Sequence, residues 1–171
     1  MIGITELIGE VVKATSVRYG QDINYVFGNT EDIKEYLDVV TFDESLVKLP
    51  MIALFCPVLE DRGDLNYVSS ARINLIIACG TTKELSNKER EDSSFKNVLR
   101  PIYEDFIASL KADKRFFFGY EPRIKHKYSE NYSYGKYGAY TANGEAVTEP
   151  IDAIDIREFE IKIKDLNTCR K

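Results

Sequence analysis

The sequence is poor in the residues that most often carry chemistry or covalent links: it has one histidine and three cysteines among 171 residues. The cysteines Cys56, Cys79 and Cys169 are odd in number and form no close pair, and the first two lie in apolar runs where a thiol behaves as a small hydrophobic group. This pattern indicates a reducing compartment. Long apolar runs are also missing, since Met51 to Cys56 and Ile73 to Cys79 fall far short of the roughly 20 residues that a membrane-spanning helix needs.

The start of the chain lacks a basic segment followed by an apolar stretch and a small-residue cleavage site, so no secretory signal is visible. We therefore expect a protein that is cytosolic or is assembled in the cytosol, with no membrane partner.

Motifs for catalysis are missing as well. There is no G-x-x-x-x-G-K-[ST] phosphate loop and no G-x-S-x-G nucleophile turn. His126 is the single imidazole base, and its spacing from Cys56 and Cys79 matches no local zinc pattern. We expect buried thiols and a histidine within the sheet, and we predict no enzyme activity, no catalytic residue, no cofactor and no metal.

The net charge is −5, which argues against a protein that coats nucleic acid, because such proteins are usually basic. The charge is distributed unevenly. Residues 1 to 66 carry 5 basic and 12 acidic side chains, a net of −7, whereas residues 67 to 171 carry 18 and 16, a net of +2. The two halves therefore present different electrostatic surfaces.

The N-terminal half contains alternating helix and strand patterns. Apolar residues at helical spacing predict an amphipathic helix over about residues 3 to 18, ended by Gly20. The β-branched and aromatic run Ile23 to Phe27 predicts a strand, after which Asn29 or Thr30 caps a short helix. Two apolar runs, Leu49 to Leu59 and Arg72 to Cys79, predict central strands joined by a charged turn, and residues 38 to 48 predict a loop.

The C-terminal half begins with the clearest helical pattern. Ser86 and Glu89 form a capping box, and apolar residues recur at helical spacing to Leu110, with a kink or a break predicted at Pro101. Strand pieces are predicted at residues 116 to 118 and 123 to 128. The alternation that ends the chain changes parity, which predicts a bulge near Arg157 or Glu158. This order of elements, without βαβ repetition, predicts one α+β domain over residues 1 to 171. Its sheet is mostly antiparallel, backed by the N-terminal helix and the long kinked helix.

Residues 129 to 149 are rich in Tyr, Gly, Ser and Asn and predict a protruding hairpin or loop. Tyrosine gives a large contact area with few torsions to freeze, so this composition is typical of a recognition surface that orders on assembly. The alternative is a surface hairpin whose rings lie on its own sheet. The candidate subunit-interface residues are Tyr132, Tyr134, Tyr137 and Tyr140.

Residues 111 to 127 carry a local excess of four positive charges. Such a cluster is suited to phosphate contacts, with nearby tyrosines able to stack on bases, although a plain solvated face is an equally good interpretation. The candidate contacts to DNA or to a protein partner are Lys111, Lys114, Arg115, Arg123, Lys125 and Lys127.

The order of elements resembles that of the ring-forming head–tail joining proteins of tailed bacteriophages, which include tail-terminator and neck-ring proteins. The kinked helix with Leu99-Arg100-Pro101-Ile102-Tyr103-Glu104 belongs to that plan. The segments Arg72-Ile73-Asn74-Leu75-Ile76-Ile77-Ala78 and Asp152-Ala153-Ile154-Asp155-Ile156 are similar to segments from phages of Bacteroides-type hosts, including the crAss-like group. The resemblance covers about residues 4 to 164 and contains no catalytic signature.

The resemblance implies a structural virion protein of the neck or tail. Such a subunit forms a six- or twelve-fold homo-oligomeric ring between portal and tail, contacts other neck and tail proteins, and lets packaged DNA pass through its lumen without sequence specificity. The tyrosine-rich hairpin would then clasp a neighbouring subunit or ring. Two further hypotheses stay open: a small nucleic-acid-binding accessory protein that uses the basic cluster, and a small enzyme that uses His126 with Cys79 or a carboxylate.

Overall fold

Helices cover both faces of a six-stranded mixed sheet in this computed structural model, which describes residues 3–39, 49–62, 68–118, 123–137 and 149–164. The strands lie in the order β1-β2-β4-β6-β5, with the short β3 beside β4. The predicted α+β class is confirmed. The strand bounds are β1 Asn24–Gly28, β2 Met51–Phe55, β3 Glu60–Asp61, β4 Val68–Gly80, β5 Lys127–Tyr137 and β6 Glu149–Lys164.

Helix α1 (Ile4–Tyr19) confirms the predicted amphipathic helix. Its apolar stripe, which includes Leu7, Ile8 and Val11, is buried against the sheet and the long helix. Gly20 ends the helix with φ +83 and donates its N–H to the carbonyl of Ser16 at 2.9 Å, a left-handed conformation that glycine adopts without a Cβ clash.

The first two strands differ from the expected antiparallel pattern. β1 and β2 are parallel, and α2 (Thr30–Val39) is the crossover between them. Asn29 caps this helix, since its side-chain oxygen accepts the N–H groups of Glu31 and Asp32 at 2.8 and 3.0 Å. A parallel pair requires such a crossover. The predicted loop at 38–48 is helical through Val39, and residues 40–48 lie outside the described residues.

The long helical segment is continuous. The predicted capping box of Ser86 and Glu89 is present at its start. The segment consists of α3 (Asn87–Arg90), a π-helix (Glu91–Leu99) and α4 (Arg100–Ala112). Arg100 donates its N–H to the carbonyl of Phe95, five residues back. Pro101 therefore falls in the first turn of α4, where a missing donor is tolerated, and a wide π segment replaces the predicted break.

The predicted bulge in the last strand is confirmed. Ile73 pairs with Phe159 and Leu75 pairs with Ile156, so Asn74 alone lies opposite Arg157 and Glu158. Glu158 takes a positive φ of 53° and donates its N–H to the side-chain oxygen of Asn74 at 3.0 Å. The bulge keeps the apolar residues on both sides of it facing the core.

The tyrosine-rich segment forms the hairpin of β5 and β6, whose pairing extends to Tyr137 opposite Glu149. Residues 138–148, its tip, lie outside the described residues. Of the predicted strand pieces, 116–118 makes only a single bridge, Phe116 with Ile163, and the piece at 123–128 becomes a strand only from Lys127.

The core has two parts, one on each face of the sheet. α1, the π segment and α4 cover the larger part, and we call this side of the sheet the α1/α4 face. α2 covers the smaller part on the opposite face, where Ile33 and Leu37 pack on Met51, Ile76 and neighbouring residues. Both ends of the sheet, the β1 edge and the β5 edge, have no further strand beside them among the described residues.

Candidate assembly interface

Three of the four predicted interface tyrosines belong to β5: Tyr132, Tyr134 and Tyr137. The fourth, Tyr140, lies outside the described residues. Tyr132 is half-buried, and its ring centroid lies 4.5 Å from that of Phe95 in the π segment, so this ring packs on its own domain. The strand that carries the three tyrosines is the last strand of the sheet, with one side paired to β6 and the other unoccupied by any described strand.

A seam of polar and aromatic contacts holds β5 against α4. Arg100 donates two hydrogen bonds to the carboxylate of Glu130, at 2.7 and 2.8 Å. Tyr128 donates its hydroxyl to the same carboxylate at 2.7 Å, and its ring meets that of Tyr103 edge-on at 5.1 Å. Hydrogen bonding from Arg100 lowers the pKa of Glu130. The two-pronged bond and the ring contact fix β5 in place, so its exposed side is a preorganised surface.

His126 lies in this seam, with both ring nitrogens in hydrogen bonds. Its Nδ1 is 2.8 Å from the carbonyl oxygen of Ile124. Because a carbonyl oxygen can only accept a hydrogen bond, Nδ1 carries a proton. In the neutral ring Nε2 then accepts the hydroxyl of Tyr103, also at 2.8 Å. The ring packs 5.1 Å from Phe159. The two hydrogen bonds and the ring contact hold the imidazole in the wall between α4 and the sheet.

Cys79 lies in a different environment, at the buried end of β4 opposite Asp152. Its thiol hydrogen-bonds with Ser94, and burial raises its pKa to about 12. Such a thiol is a poor nucleophile at neutral pH. Among the described residues no group of three or more His, Cys, Asp or Glu side chains is arranged to hold a metal ion. No helix in the described part of the chain is long and apolar enough to cross a membrane.

Asp152 is the centre of a buried polar cluster that sequence analysis missed. Its carboxylate lies 3.8 Å from the guanidinium of Arg90, and both side chains are almost fully buried. Arg90 also donates to the carbonyl of Thr82 at 3.0 Å. Three irregularities meet here: the π segment, the capping turn before it, and a bulge in β5 that places Tyr132 to Tyr134 opposite Asp152. The cluster anchors the helical segment to the base of the hairpin.

The predicted basic cluster extends the β5 edge. The backbone carbonyl of Arg115 accepts a hydrogen bond from the N–H of Lys164 at 2.8 Å. The backbone carbonyl of Lys125 accepts one from the N–H of Glu160 at 3.2 Å. β4 occupies the other side of β6 as far as Lys164. Both basic segments therefore lie in line with β5 along the same side of β6.

Arg115 and Lys127 of the basic cluster are held in ion pairs. Arg115 contacts Asp113, at 2.5 Å, and Glu10, beside a groove of about 520 Å³ between α1 and α4. Lys127 contacts Glu158. The other four are exposed: Lys111, Lys114, Arg123 and Lys125.

One row of residues crosses the whole sheet on the α1/α4 face and ends in an aromatic ring at each edge. Along the row Phe27, Leu54, Leu75, Ile156 and Tyr128 are successive partners. The three central residues are fully buried, whereas Phe27 is 55% exposed and Tyr128 is 41% exposed. The sequence predicted Phe27 only as a strand residue. Its exposure follows from the position of β1 at the end of the sheet, which no local pattern reveals.

The two edges also differ in charge. Three carboxylates are exposed just before and just after β1, those of Asp22, Glu31 and Asp32. The β5 edge carries the basic cluster. The molecule thus presents an acidic edge and a basic edge, each with an exposed aromatic residue at the same level of the sheet.

Comparison with protein-family models finds no matching family, and comparison with curated proteins finds no significant match.

Proposed function

We propose that this chain is a structural, non-enzymatic subunit of the neck or tail of a tailed bacteriophage, where copies of it form a six- or twelve-fold ring between portal and tail through which DNA passes. The resemblance in the order of elements suggests this role. The observation that carries it is the pair of unlike sheet edges, because a head-to-tail ring needs two different, complementary surfaces on one subunit.

The β5 edge suits such a contact in composition and in rigidity. Tyrosine and arginine are enriched at protein interfaces, and Tyr128, Tyr103 and Arg100 lie together at this seam. The bidentate bond between Arg100 and Glu130 holds the strand before any partner arrives. Less conformational entropy is therefore lost on assembly than with a loose hairpin. The acidic excess of residues 1 to 66 is compatible with a lumen along which DNA slides without sticking.

The alternative function, a nucleic-acid-binding accessory protein, depends on the basic cluster. The ion pairs of Arg115 and Lys127 neutralise two of its six charges. That alternative predicts DNA affinity that falls steeply with salt and is lost when all six basic side chains of the cluster are neutralised.

The role is tested in two steps. Size-exclusion chromatography with light scattering, on the purified chain alone and mixed with the neck and tail proteins encoded beside its gene, should give an annular assembly. Mass spectrometry of purified virions should then find the chain in the particle. A chain that stays monomeric with every such partner, or virions that lack it, would contradict the proposal.

A further inference from the structure

We propose that neighbouring copies join their sheets, with β1 of one copy pairing antiparallel with β5 of the next and Phe27 lying beside Tyr128. This inference rests on the proposed ring function and names the contact between its subunits. Its occupant is a second copy of this chain, and four independent features of the described residues favour it.

The first feature is the backbone of β1. Asn24 donates its N–H to the carbonyl of Pro50 at 3.0 Å, and the carbonyl of Gly28 accepts the N–H of Cys56 at 2.8 Å. Because backbone groups alternate along a strand, those of Tyr25 and Phe27 point away from β2. The strand Asn-Tyr-Val-Phe-Gly contains no charged residue and no proline, the features that usually protect an edge from pairing.

The second feature is strand direction. β1 is parallel to β2, and each following pair along the sheet is antiparallel, from β2 with β4 to β6 with β5. β1 and β5 therefore run in opposite directions. A copy that continues the sheet in the same orientation places its β1 antiparallel to β5, in the pairing that is slightly more stable per residue.

The third feature is register. The sheet's own rows put Asn24 at the level of Asn131, Val26 at the level of Ser129 and Phe27 at the level of Tyr128. With no shift between copies, the two exposed rings become cross-strand neighbours on the same face. Such a pair contributes through aromatic contact in addition to buried area. A head-to-tail contact between unlike edges closes into a ring when the rotation from copy to copy closes.

The fourth feature is charge. The acidic residues Glu31 and Asp32 follow Gly28 in the chain. The basic residues Arg123 and Lys125 precede Lys127. The antiparallel pairing, continued past Phe27 and Tyr128, carries these acidic and basic segments alongside each other. All four side chains are exposed in the single chain. Opposite charges at the rim steer association and fix register.

Disulfide cross-linking between copies tests the contact. We would make Phe27→Cys and Tyr128→Cys as separate proteins, each also carrying Cys56→Ser and Cys169→Ser, with the buried Cys79 unchanged. Cross-strand neighbours have Cα atoms about 4.5–5.5 Å apart, within the range that a disulfide spans. Mixing the two and oxidising mildly should give the mixed covalent dimer. Val17→Cys replaces Phe27→Cys in the control and should give no such product, since Val17 is 85% exposed and lines the groove between α1 and α4.

A second pair of variants separates the backbone from the ring. Phe27→Ala removes only the side chain, whereas Phe27→Pro also removes the outward N–H without touching the bonds to β2. Assembly should be weakened by the first and abolished by the second, while circular dichroism confirms that both remain folded.

The outcomes distinguish this inference from the ring function itself. If the wild-type protein forms rings but the two cysteine variants give no mixed dimer, the edge pairing is overturned. The same holds if Phe27→Cys cross-links with itself. In both cases the proposed ring function is unaffected. A mixed dimer accompanied by open filaments in electron micrographs supports the edge pairing and overturns the ring. A chain that never associates overturns both.

Discussion

Arg90 and Asp152 face each other inside the protein, with 3.8 Å between a guanidinium nitrogen and a carboxylate oxygen. Arg90 ends α3 just before the π segment, and Asp152 lies in β6 opposite the bulge of β5. This contact joins the helical layer to the base of the tyrosine-bearing hairpin. The orientation of the proposed interface strand therefore depends on a buried pair of charges.

Removing one partner of this pair should be costly. Asp152→Ala removes the carboxylate that faces the buried guanidinium of Arg90, so we expect the free energy of unfolding to fall by about 3–5 kcal/mol in urea titration. The control is Asp92→Ala, whose exposed carboxylate pairs with Lys96 at 2.6 Å and whose loss should leave the urea midpoint nearly unchanged. Equal effects of the two substitutions would show that the buried pair does not anchor the fold.

The seam between α4 and β5 should make stability depend on pH. Arg100 lowers the pKa of Glu130 in the folded protein, so Glu130 stabilises the fold above its unfolded pKa of about 4.3, and this contribution is lost as the pH falls through the lower folded value. At pH 7 we expect Glu130→Gln to cost about 1 kcal/mol. In thermal unfolding the difference between wild type and variant should shrink towards pH 3. A difference that is constant with pH would contradict this assignment.

Glu158 lies in the bulge, and replacing it with glycine should stabilise the fold. Glu158 has φ +53°, a left-handed conformation that costs free energy for a residue with a Cβ. We expect Glu158→Gly to raise the melting temperature by about 2–4 °C, since its N–H still reaches Asn74. Glu160→Gly is the matched control in the extended part of β6 and should lower the melting temperature. If both variants lower it, the bulge is not under backbone strain.

The opposite charges of the two edges should control association. Lys125→Glu should weaken self-association about tenfold at low salt, because steering charges change association rates by at least that factor. Adding Glu31→Lys in the same chain restores complementarity and should recover most of the loss. Lys88→Glu changes an exposed lysine in α3 that is not part of the basic cluster, and it is the control. Analytical ultracentrifugation at two salt concentrations measures these effects, and a Lys125→Glu variant that associates like wild type would contradict the charge argument.

Local patterns predicted most of the elements, because the signals depend on neighbouring residues. The stripe of α1, the capping box at Ser86 and the parity change at Arg157 and Glu158 each report a local constraint, and all three are confirmed. Pro101 was predicted to kink or break the helix. The π segment ending at Leu99 places it instead in a first turn, an adjustment that depends on the packing of Phe95 and Leu99 under the helix.

The candidate interface depended on information that one sequence does not contain. The tyrosine composition pointed to β5, yet only the sheet order shows that β1 and β5 are the two edges. Phe27 and Tyr128 are about a hundred positions apart in the chain and come to the same level through four successive strand pairings. Asp152 likewise looked like one acidic residue in an apolar strand, because its partner Arg90 comes from a helix distant in sequence.

The central claim is that copies of this chain close into a ring through unlike edges. Light scattering of the wild-type protein after size-exclusion chromatography, at increasing protein concentration, tests it most directly. We expect the mass to rise to that of six or twelve subunits and then stay constant. A mass that stops at two chains or grows without limit would contradict the account, and so would a mass that remains that of one chain even when the neighbouring neck and tail proteins are added.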